Sequence, residues 1–148
     1  MSEDRLKRIF MRLRSETQGH WPGFQCGLLV GHPKDFPKKR NQAMCMFQGT
    51  KGAAPAIDII VAPKMVNAST ARQEGVLRHE FGHAVEFYLG LPLLNETAYY
   101  NGITLHHGAE RRADNVAEWI YSQPISYDTD TVQTIGPGTS PRPAHLGH

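Results

Sequence analysis

His79-Glu80-Phe81-Gly82-His83 sets two candidate metal ligands and a candidate general base within five residues. Two histidines four residues apart lie one above the other on a helix. Both imidazoles then reach one tetrahedral ion at about 2.0–2.1 Å. The glutamate beside the first histidine stands where it can hold and deprotonate a water molecule. At about 100° per residue, His79, His83 and Glu80 share one sector of about 100° with Val76 and Phe87. Leu77, Phe81, Ala84 and Tyr88 continue the apolar arc, so the three polar groups face inward or into a cleft. With eight His and eight Glu among 148 residues, chance yields this pattern with a probability on the order of 2%. A histidine pair merely satisfied in a core would also have to explain a buried glutamate between them.

A catalytic zinc ion takes three protein ligands and keeps a fourth position for water. Downstream stands Glu110-Arg111-Arg112-Ala113-Asp114, on a second helical pattern. Its apolar arc holds Ala113, Val116, Ala117, Ile120 and Tyr121. Glu110 falls inside that arc, Asp114 at its rim and Glu118 beyond it. A carboxylate in a buried sector costs several kcal/mol unless something positive meets it. Glu110 is therefore the expected third ligand, and Asp114 the acceptor for a ligand histidine's free N–H. His106 and His107, just before this helix, are alternatives for the third position. They are also exposed-loop histidines on the plainer reading.

These residues need a scaffold, and the chain supplies its pattern. Leu6, Ile9, Phe10 and Leu13 predict an amphipathic helix over residues 3–16. Phe24 to Val30, Gln42 to Phe47 and Ala56 to Ala62 are short apolar runs, predicting a small, mostly antiparallel sheet. The motif helix starts near Ser69, with Thr70 and Gln73 at capping-box spacing, and stops at Gly90. A loop-like segment with a turn signal at Asn101-Gly102 leads to the last helix, Ala109 to Ser122. The expected class is α+β, with one domain over 1–122. Residues 123–148, rich in Pro, Gly, Ser and Thr, form a tail.

HEFGH followed by ERRAD resembles the gluzincin metallopeptidases, whose second motif is Glu-x-x-Ala-Asp or a close variant. The order of sheet, HExxH helix and Glu-bearing helix over about residues 24 to 122 is similar to a minimal zincin fold. Compact minigluzincins and peptidases of the ImmA/IrrE type are of similar size. Metzincins are excluded, because a third histidine would fall at Leu89 and their glycine at Glu86. The resemblance implies a zinc (Zn2+) metallopeptidase acting on protein or peptide substrates, with His79, His83 and Glu110 as ligands and Glu80 as base. It also implies an oxyanion donor, for which Tyr99, Tyr100, His106, His107, Tyr121 and Tyr127 are candidates. In such folds an edge strand receives extended substrate, which would place Ile57, Ile59 and Val61 at the docking edge.

Hydrophobic residues make up 40% and charged residues 20% of the chain, a soluble globular balance. No run reaches the roughly 18 apolar residues of a membrane span, and the N-terminal segment lacks a secretory h-region. These features predict a cytoplasmic protein. Cys26 and Cys45 are expected as free thiols of a reducing compartment. The net charge of +2 does not call for nucleic acid. Arg5, Arg8, Arg12, Lys34, Lys38, Lys39 and Arg40 nevertheless keep a DNA-associated protease as one alternative. A metal-binding zincin module without proteolysis is the other, and Glu80 argues against it.

Overall fold

The computed structural model describes residues 2–36, 42–48, 56–89, 98–100, 103–105 and 109–121. The tail 123–148 and the Lys38-Lys39-Arg40 run lie outside them.

Helix α1 spans Ser2–His20, opening on Glu3 and Asp4 where acidic side chains favour the helix dipole. Leu6, Ile9, Phe10 and Leu13 are buried as their spacing requires. The helix runs further than that stripe because Thr17 is also buried. Its hydroxyl donates to the Leu13 carbonyl, and Trp21 N–H closes the last turn on the Thr17 carbonyl.

Strands β1 (Gly27–Val30), β2 (Ala43–Gln48) and β3 (Ala56–Val61) form a sheet in the order β1-β3-β2. β2 and β3 are antiparallel, with Cys45 opposite Ile59, whereas β1 runs parallel to β3, with Leu28 opposite Ile59. The sheet is therefore mixed rather than mostly antiparallel. β3 lies at its centre, which overturns the docking-edge expectation for Ile57, Ile59 and Val61. Both hydrogen-bonding edges of β3 are occupied, and these three side chains are buried in the core. The sequence carried a signal of this in Ile60, which makes the strand apolar on its second face too.

A 3-10 turn, Pro63–Asn67, buries Met65 and delivers the chain to helix α2, Thr70–Tyr88. Ser69 is the N-cap and accepts from Arg72 N–H. Gln73 does not complete a capping box. It is fully buried, donates to the Met65 and Val66 carbonyls, and accepts from Arg5 of α1. Arg5 also donates to the Ala68 carbonyl, so α1 is tied to the entry of α2. Beyond α2, the segment read as a loop contains a short hairpin, β4 (Ala98–Tyr100) and β5 (Ile103–Leu105), with Tyr100 opposite Ile103.

Helix α3, Ala109–Tyr121, buries Ala113, Val116, Ala117, Ile120 and Tyr121 as expected. It also buries Arg112 and Glu118, which the wheel placed outside the apolar arc. Phe81 of α2 gathers the core, with Phe10, Phe24 and Tyr121 rings at 5.3, 6.1 and 6.5 Å. No helix among the described residues is long and apolar enough to cross a membrane.

Cys26 and Cys45 are free; Cys26 directly precedes β1, and β3 lies between β1 and the Cys45 strand, β2. Two strand spacings of about 4.8 Å exceed the roughly 7 Å limit for a disulfide. Burial, and then the charge of Asp58, pushes the Cys26 thiol from 9.0 up to about 12. Burial, and then Glu80, pushes Cys45 up as well. Between pH 9 and 12 the unfolded chain releases thiol protons that the native chain keeps. Stability is therefore intact below pH 9 and should fall above it by up to about 1.4 kcal/mol per pH unit per thiol. Urea unfolding at pH 8, 9.5 and 10.5 checks this, and cysteine-to-serine variants should flatten the fall.

Candidate metal centre

α2 is buried along most of its length, from Gln73 to Glu86, because α1, the sheet and α3 surround it. A polar side chain on such a helix must find an interior partner. His79 finds Asp114 of α3, with Nδ1 to Oδ1 at 2.7 Å. The carboxylate oxygen accepts from Nδ1–H, which fixes the tautomer and leaves the Nε2 lone pair facing away from α3. Nε2 of His83 lies 3.1 Å from Nε2 of His79, and the two rings stand at 90°. Glu80 is buried beside them, and the ligand atoms of His79, Glu80 and His83 lie within 4.8 Å of one another.

This donor set fits a divalent ion. Two nitrogens about 2.05 Å from a tetrahedral centre stand about 3.3 Å apart, close to the separation observed. Without an ion, His83 Nε2–H donating to His79 Nε2 satisfies the same pair. The charge of Glu80 also acts on Cys45 of β2.

Gly82, inside the motif, explains how α3 comes so near. A Cβ at this position would overlap the Ala113 carbonyl and stand 2.8 Å from Ala113 Cα. Backbone approaches backbone there, and Asp114, the next residue, is delivered to His79. One turn further along α2, Glu86 meets Arg112, with Nε to Oε2 at 3.4 Å. Contacts of residues 112, 113 and 114 with 86, 82 and 79 span about 10 Å of α2. The first turns of α3 are therefore laid over the motif.

Of the remaining candidates, Glu110 occupies the first turn of α3, one turn before Asp114. Its side chain lies outside the described residues. So do those of Tyr99 and Tyr100 on β4, together with His106, His107 and Tyr127. Tyr121 is placed away from the histidines. Its hydroxyl is 2.9 Å from Thr17 Oγ1, its ring packs on Phe81, and burial pushes its pKa up. Phe81 marks the α2 face opposite His79, so Tyr121 supports the core.

Besides Glu118, the buried charges Glu86 and Arg112 escaped the sequence reading. Glu86 lies seven residues beyond His79, two full turns on the same stripe, which was a usable signal. Arg112 lies about 40° outside the apolar arc of α3 and gave a weaker one. Of the α1 arginines, Arg5 is held by Gln73 and Arg12 by Glu74. Comparison with known proteins finds no matching family model, no similar curated protein and no similar solved structure.

Proposed function

We propose that this chain is a zinc-dependent metallopeptidase of the gluzincin type, built on a minimal zincin fold. The observation that carries the reading is the convergence of the His79 and His83 Nε2 atoms at 3.1 Å, with Asp114 fixing the tautomer of His79. His79 and His83 would hold the ion, with Glu110 completing the set from α3. A bound zinc ion supplies Lewis-acid polarisation of the scissile carbonyl and makes water acidic enough to ionise near neutral pH. Glu80 takes a proton from water at its carboxylate and hands it to the leaving amine nitrogen. Asp114 holds His79 in one orientation, and the burial of Glu80 limits water around its carboxylate.

The outer edge of β2 inherits the docking role expected of β3. Among the described residues it pairs with β3 alone, and it carries Cys45, on which the charge of Glu80 acts. Two free thiols suit a reducing compartment such as the cytoplasm. Internal engagement of Arg5 and Arg12 weakens the DNA-associated alternative.

Elemental analysis of the purified protein tests the reading and should find one zinc per chain. Glu110→Ala should lower zinc retention at least about tenfold, as expected for a lost ligand. Glu118→Ala should instead keep zinc and lose about 1–3 kcal/mol of stability, because Glu118 is a buried charge on α3. Zinc-free wild-type protein, after refolding with the metal, would end the proposal. Equal zinc in both variants would move the third ligand elsewhere.

A further inference from the structure

The buried Glu86–Arg112 pair stands outside the hydrolytic scheme, yet it joins the two helices that build the site. Glu86 is fully buried and Arg112 is 2% exposed. Nε of Arg112 donates to Glu86 Oε2. Glu86 lies three residues beyond His83, and Arg112 lies between Glu110 and Asp114. A buried ion pair is a poor source of net stability, because desolvation cancels most of the attraction. Apolar side chains of similar volume would hold two helices together at least as well. What the pair adds is direction. A planar guanidinium meets its carboxylate in few orientations, whereas apolar surfaces slide.

Direction matters at this crossing. Gly82 and Ala113 touch through backbone, so this contact itself supplies no interlocking side chains, while Phe81 packs on Tyr121 elsewhere between the two helices. On one side of the pivot, Asp114 meets His79; on the other, Arg112 meets Glu86. Two contacts flanking a pivot fix an angle that neither fixes alone.

We infer that Glu86 and Arg112 are positioning residues, which set the rotation of α3 on α2 and so aim Asp114 at His79. The inference rests on the proposed metal centre for its zinc readout, but its effect on His79 is independent of metal.

The test replaces both charges together, Glu86→Leu with Arg112→Met, so that no lone charge is left buried. Two readouts are taken on the full chain: zinc affinity by chelator competition, and the His79 tautomer by nitrogen-15 NMR of metal-free protein. The double variant should unfold within a few degrees of wild type, bind zinc at least tenfold more weakly, and lose the single Nδ1–H tautomer. Wild-type affinity and tautomer in a stable double variant would overturn the inference while leaving the peptidase reading intact. Wild-type protein that binds no zinc would instead overturn the peptidase reading, and the tautomer shift alone would then decide the clamp. Should the double variant not fold, Arg112→Lys keeps the charge without the planar fork and is read by the same two measurements, with the same results deciding.

Discussion

Glu80→Gln should retain one zinc per chain and lose hydrolysis by at least about a hundredfold, the scale of a missing general base. The amide matches the carboxylate in shape but cannot take a proton from water. Because Glu80 is buried beside both histidines, no solvent-exposed group easily replaces it. Mapping new protein N-termini in lysates treated with wild-type or variant protein reads the activity without a known substrate. Unchanged turnover would remove Glu80 from the mechanism. Loss of zinc in this variant would make Glu80 a ligand instead, which its distance from the histidines also allows.

The second large effect is expected at Gly82. Gly82→Ala places a methyl group on the Ala113 backbone, which has no flexible side chain to yield. In an exposed helix the same change stabilises by roughly 1 kcal/mol. Here overpacking should reverse the sign, with a net loss of about 3 kcal/mol and a melting point lower by roughly 10 °C. Gly19→Ala is the control, since nothing lies within 4 Å of a Cβ there and the residue is helical. Calorimetry of both variants separates crowding from helix propensity. If both gain stability, α3 does not approach α2 as closely as the crossing requires. Zinc retention should fall with stability in Gly82→Ala, because displacement of Ala113 carries Asp114 away from His79.

Much of this arrangement was legible in the chain. The stripe of Leu6, Ile9, Phe10 and Leu13, the limits of α2 and the inward face of His79 and His83 follow from helical periodicity alone. Asp114 at the rim of its arc gave a usable signal of a partner for a motif histidine, and it meets His79. What local pattern does not encode is strand order. A period of two tells which face a residue occupies but not which neighbour it pairs with, so β3 was read at an edge when it lies between β1 and β2. Buried charge was missed for a related reason. Glu86 and Arg112 meet across two helices 26 residues apart in sequence, and even the stripe that Glu86 shares with His79 does not say which residue will meet its charge. Thr17 and Gln73 show the same limit for neutral groups. Their partners, Tyr121 and Arg5, are supplied by tertiary contact.

Strand order also bears on how copies of this protein behave toward one another. β1 is an outer strand among the described residues and carries Leu29 and Val30 at 52% and 44% exposure. A long ribbon of that character would template stacking between molecules. At four residues, β1 offers an incoming chain only a couple of outward-pointing amides, so each stacking event gains little. Brevity limits what this ribbon offers to self-association, and lengthening it would raise the gain from each stacking event.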